Sequence, residues 1–105
     1  MASLITLHIF KGADGETPQG SLIEDANGDL FGTTRFGGAN GDGTVFELSP
    51  GLGGYVLSTA SFDGTDGANP NGGLVADANG DLFGTTQAGG ASGDGVVFEI
   101  AKTAN

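Results

Sequence analysis

The chain has 105 residues, among them 22 glycines and 3 prolines, and carries a formal charge of −10. That length suits one small domain, and so much glycine leaves little room for long helices. Its 3 Lys and Arg against 13 Asp and Glu argue against nucleic acid, whose binding rests on cationic phosphate contacts, and against an anionic membrane surface.

The chain has no cysteine, so neither a disulfide nor a thiolate zinc site can staple it. Residues 1–10, MASLITLHIF, form the first predicted strand. The run is far shorter than a membrane helix. It also lacks the basic leader and cleavage site of a signal peptide. A loop is expected over 11–19 and a short strand over 20–24. Asn27-Gly28 reads as a two-residue hairpin turn with both positions at positive φ. The returning strand is predicted at 29–34, a glycine-rich turn at 37–43, a third strand at 44–48, a turn at 49–53 and a fourth strand at 54–62.

From residue 63 the chain repeats itself. DANGDLFGTT stands unchanged at 25–34 and at 77–86, and a shift of 52 positions aligns 10–50 with 62–102 at 26 identities in 41 pairs, without a gap. A period near fifty, with four antiparallel strands per unit, predicts an all-β fold and the blade of a β-propeller.

The pattern G-x-L-x-x-D-x-x-G-D-L-F-G-T-T-x-x-G-G-x-x-x-G-D-G-x-V-F-E spans nearly the whole chain. It resembles the glycine-rich tandem repeat of GloVer-type choice-of-anchor bacterial proteins. Those repeats run LYGTT, then GG, then GTVF; Phe31 and Phe83 take the tyrosine position here. The resemblance implies a propeller, a secreted or cell-surface bacterial origin, and no catalytic residues. The closeness of the copies and the opening Met-Ala-Ser suggest an engineered or excised two-repeat fragment.

The phase of the repeat predicts the organisation. Residues 1–10 align with the fourth, outer strand, 11–62 make one complete blade, and 63–105 make a blade lacking its outer strand. Two blades cannot curl into a ring, and an unpaired edge is a template for another strand. The expected partner is therefore a further copy. The opening strand (Leu4, Ile5, Leu7, Ile9, Phe10) would complete the neighbour's edge (Val96, Val97, Phe98, Ile100) in a cyclic homo-oligomer. Eight blades from a tetramer are favoured over six from a trimer.

No chemistry-bearing constellation stands out. Asp25-x-Asn27-x-Asp29, copied at Asp77, Asn79 and Asp81, opens like a calcium loop. Leu30 and Leu82 occupy the position that needs Gly, and Phe36 and Ala88 the one that needs Glu. A hairpin with Asx hydrogen bonds is the better reading. Asp14, Asp66, Asp42 and Asp94, with Glu16 and Asp63, fall on loops expected to share one face of a ring. Such an acidic rim could hold Ca2+ or a carbohydrate, against the plainer role of solvated acids; no other cofactor is expected. His8 is the sole histidine and its counterpart is Ala60, so no acid–base or nucleophilic array is built. The expected function is a non-enzymatic, self-assembling scaffold or a model of propeller evolution by blade duplication. A ligand-binding ring is the alternative.

Overall fold

The computed structural model describes residues 3–101. Among them there is no helix. Eight strands form: β1 (Glu16–Glu24), β2 (Leu30–Phe36), β3 (Thr44–Gly51), β4 (Gly54–Ser61), β5 (Ala68–Pro70), β6 (Val75–Ala76), β7 (Leu82–Ala88) and β8 (Val96–Ile100). The first four make an antiparallel meander in the order β1-β2-β3-β4. In the second sheet β5 and β6 both pair with β7, and β8 pairs with β7 as well. β5 and β6 match the two ends of β1, so the second sheet repeats the first without a counterpart of β4.

The strand order follows the repeat, but local detail departs from expectation. β1 begins at Glu16, inside the segment read as a loop. Its first half pairs with the end of β2 (Glu16 with Phe36, Pro18 with Thr34), and an irregularity between Gln19 and Ile23 shifts the register. Gly20, at φ 80°, stands in that irregularity. The hairpin after β1 is not the expected two-residue turn. Only Gly28 has positive φ (84°). Asp25 N–H donates to the Asp29 carbonyl at 3.0 Å and Gly28 N–H to the Asp25 carbonyl at 3.1 Å, so the turn is wider, with the glycine in the left-handed position. The Asp25 carboxylate accepts the N–H groups of Asn27 and Asp29 at 2.9 and 3.0 Å. Asp77 repeats both bonds. These are the Asx bonds anticipated for the motif.

Two features explain the invariant FGTT. A Cβ on Gly32 would stand 2.6 Å from Cζ of Phe46, and one on Gly84 equally close to Phe98. The phenylalanine of the third strand thus lies flat over the second strand only because glycine is there. Next to it, Thr34 and Thr44 are fully buried. Thr34 Oγ1 donates to the Phe36 carbonyl (3.0 Å) and accepts the Thr44 N–H (3.1 Å). With its own proton committed, its 2.8 Å contact to Thr44 Oγ1 is one it accepts. Thr86 makes the two backbone bonds again, to Ala88 and from Val96.

The hydrophobic core lies between the sheets. Val45, Phe62, Leu74 and Leu82 are buried, and Ile23, Phe31, Phe98 and Ile100 pack on them. β3 of the first sheet contributes Val45, and the start of the second repeat contributes Phe62, Leu74 and Leu82. Each sheet therefore buries one face against the other, at about 1.5–3 kcal/mol per large side chain removed from water. On another side the repeats meet at glycines. A Cβ on Gly20 would be 2.6 Å from the carbonyl oxygen of its counterpart, Gly72.

Candidate functional site

Among the described residues β8 is paired on one side only, by β7, and the face of each sheet outside the junction is less covered than its copy within it, although Phe10 packs on Phe46 of the first sheet's outer face. Identical residues in the two repeats report this directly. Leu74 is 7% exposed and its counterpart Leu22 is 55% exposed. Val45 is 8% exposed and its counterpart Val97 is 76% exposed. Pro70 is buried and Pro18 exposed; Thr33 is buried and Thr85 exposed. The contact between the sheets is thus made of one face type from each repeat. The other copy of each face lies outside this contact, the first sheet's partly capped by Phe10.

The polar junction between the sheets has the same one-sided character. Asn69 N–H donates to the Asp42 carbonyl at 2.7 Å, and Asn69 Nδ2 donates to the Arg35 carbonyl at 3.1 Å. Arg35 Nη2 donates to Gln87 Oε1 at 2.9 Å, joining two positions that are repeat equivalents. Gly43 must be glycine because Pro70 Cδ would lie 2.6 Å from a Cβ there. The counterparts Thr17, Asp94, Pro18 and Gly95 exist, but within one chain Thr17 and Asp94 lie at opposite ends. Thr17 and Asn69 are the two non-glycine residues with positive φ among those described, at 60° and 56°. Sequence inspection had no signal for this, since neither lies in a glycine turn.

Residues 3–10 form no strand within the chain. Leu4, Ile5, Leu7 and Ile9 are 100%, 73%, 45% and 69% exposed. The segment is nonetheless placed by its end. Phe10 stands edge-on to Phe46 with centroids 5.0 Å apart, as Phe62 stands to Phe98 at 5.2 Å. His8 lies edge-on to Phe10 and bonds Asp14 through Nε2 at 2.9 Å. Of the other expected seam residues, Val96, Phe98 and Ile100 are half-buried on β8, alternating with exposed Val97 and Glu99.

The acidic loops come together in part. The 37–43 turn sits on the 12–15 turn through the Gly38 N–H bond to the Gly12 carbonyl (2.8 Å). Asp42 Oδ2 lies 3.5 Å from where a Cβ of Gly64 would be. The carboxylates are largely engaged locally. Asp14 accepts the Lys11 N–H at 2.8 Å, and this bond, helped by the facing His8, holds it below the usual carboxylate range against the opposing effect of burial. Asp63 is likewise held low, first by the Asp66 N–H and then by the neighbouring Asp66 and Thr65 groups. Asp66 accepts the Asp63 N–H. Among the described residues no three acidic or imidazole groups converge as metal ligands do.

A cleft of about 420 Å³ opens between the sheets, lined chiefly by Phe31, Val45, Thr59, Phe62, Phe98 and Ile100. The carboxylate residues Glu47, Asp66 and Glu99 line it as well. No curated protein and no solved structure matches the chain. A family model does, over residues 2–105; it is described as the Gloeobacter/Verrucomicrobia repeat.

Proposed function

Since the chain belongs to the Gloeobacter/Verrucomicrobia repeat family, we propose that it works as a two-unit building block: copies stack head to tail and close into a β-propeller ring without catalytic activity. Each sheet is then one blade. The role is structural, a self-assembling scaffold in which a duplicated blade reproduces a whole propeller.

One observation carries this reading. Leu22 and Val97 are exposed where their sequence-identical counterparts Leu74 and Val45 are buried. The chain therefore holds a working interface between its own repeats and one spare copy of each half. A face that already packs well against its partner inside the chain will pack against the same partner supplied by another copy. Such a heterologous contact closes when the rotation fits. Two blades per chain give eight blades from four copies, or six from three, both within the usual size of propellers. The four-copy ring is preferred. Val75 and Val97 are exposed on the second sheet and Leu22 on the first, so apolar side chains are left for a further copy on each of the two sheets.

Light scattering or native mass spectrometry at neutral pH tests the proposal. The expected result is a single closed species of four copies, with three as the runner-up. A stable monomer across the micromolar range would overturn it.

A further inference from the structure

Resting on the head-to-tail reading, we infer that residues 4–9 of one copy are the missing fourth strand of the next copy's second sheet, bound in one defined register. The chain contains its own template for that register. β3 pairs β4 through Leu48 with Leu57, Glu47 with Ser58, Phe46 with Thr59, Val45 with Ala60 and Thr44 with Ser61. Moved by one repeat, the partners are Ile100 with Ile5, Glu99 with Thr6, Phe98 with Leu7, Val97 with His8 and Val96 with Ile9.

The side chains agree with this register and oppose a slip of one residue. Directly opposed residues on paired strands share a face. The register puts Ile5, Leu7 and Ile9 beside Ile100, Phe98 and Val96, apolar against apolar. The residues Thr6 and His8 fall beside Glu99 and Val97. A slip of one residue would set Ile5, Leu7 and Ile9 on the opposite face, since strand faces alternate. A slip of two keeps the face but moves Leu7 off Phe98 and leaves one end of the row unpaired. Phe98 and Ile100 line the cleft between the sheets, so the incoming row faces that cleft. The cleft is the socket for the second copy's Ile5, Leu7 and Ile9, not a pocket for a small molecule. Those three are more apolar than Leu57, Thr59 and Ser61, which hold the equivalent places on β4.

The anchor is also templated. Phe62 N–H donates to the Gly43 carbonyl at 3.0 Å where β4 leaves its sheet. The Phe10 N–H stands in the same relation to the partner copy's Gly95. Phe10 itself remains against Phe46 of its own first sheet. The strand is thus tethered at one end and open along its length.

Single cysteines read the register without background, because the chain has none. A Thr6→Cys chain mixed with a Glu99→Cys chain should give a covalent dimer under mild oxidation, and no larger covalent species. Cβ atoms of directly opposed residues lie within disulfide reach, while those two positions along do not. Thr6→Cys with Val97→Cys should therefore yield about tenfold less dimer. Dominance of the shifted pair, with native mass unchanged, would overturn the register and leave the ring reading intact. Absence of both dimers in an intact oligomer would overturn strand exchange and leave only face-to-face stacking. Absence of both in a monomer would overturn the inference and the ring reading together.

Discussion

Single residues do uneven work in the two repeats, and the most telling pair is Thr17 and Asn69. Both sit at left-handed φ, where a β-branched side chain is strained and asparagine is tolerated. Asn69 also uses its amide to hold the Arg35 carbonyl, a bond threonine is too short to copy. Thr17→Asn should therefore relieve strain and raise the melting temperature, with a gain of about 1 kcal/mol. Thermal unfolding followed by circular dichroism checks this; an unchanged or lower midpoint would contradict it. Neither the strain nor the bond could be read in the sequence, because Thr-Pro and Asn-Pro look like ordinary loop entries. By contrast, the Asx bonds of Asp25 and Asp77 were legible, since they depend on residues four positions apart at most. The wider hairpin was not: Asn-Gly permits positive φ at both positions, but Asp25 draws the chain into a turn in which only the glycine needs it.

Among the elements, β4 and residues 3–10 have the same place in the repeat and opposite fates. β4 pairs with β3 along eight residues, while residues 3–10 pair with nothing inside the chain. Phase alone told them apart, because a period of 52 sets residues 3–10 one repeat ahead of β4. The split of the inner strand into β5 and β6 was not legible. It arises where the backbone turns at Gly72, φ 87°, and the copy in the first sheet bridges the same irregularity as one strand. Deletion of residues 1–10 removes the proposed fourth strand and leaves the Val96–Ile100 edge bare. The truncated chain should keep a β-type circular dichroism spectrum but fail to close, giving monomers or open-ended aggregates by light scattering. An unchanged oligomer after deletion would show that the strand is not needed for closure.

For the whole molecule, the balance between buried and spare surface sets how stability should behave. The main core cluster within one chain lies at the junction of two sheets, with Phe46 and Leu48 buried on the other face of β3, and the described chain measures 47 × 32 × 27 Å, elongated rather than round. In the proposed ring, exposed apolar residues such as Leu22 and Val97 would be buried only when copies meet. Unfolding is then linked to dissociation, and the melting temperature should rise with chain concentration. Scanning calorimetry over a hundredfold dilution series checks this, and a midpoint independent of concentration would mean that each chain is stable alone. The all-β fold and the two-unit layout were legible because the repeat imposes them. The open faces were not, because Leu22 and Leu74 stand in matching local sequence and only their surroundings differ.

The Arg35–Gln87 bond joins unlike residues at like positions, and in the proposed ring it would turn assembly into a matter of parity. Around a closed ring such positions must alternate, arginine then glutamine, with no place where two of a kind meet. Only even numbers of blades satisfy that rule. If the intrinsic angle between neighbours favours seven blades, no count of copies can supply them, and the ring must choose between six stretched junctions and eight compressed ones. In the proposed ring the paired repeat would thus act as a counting device, quantising it in steps of two.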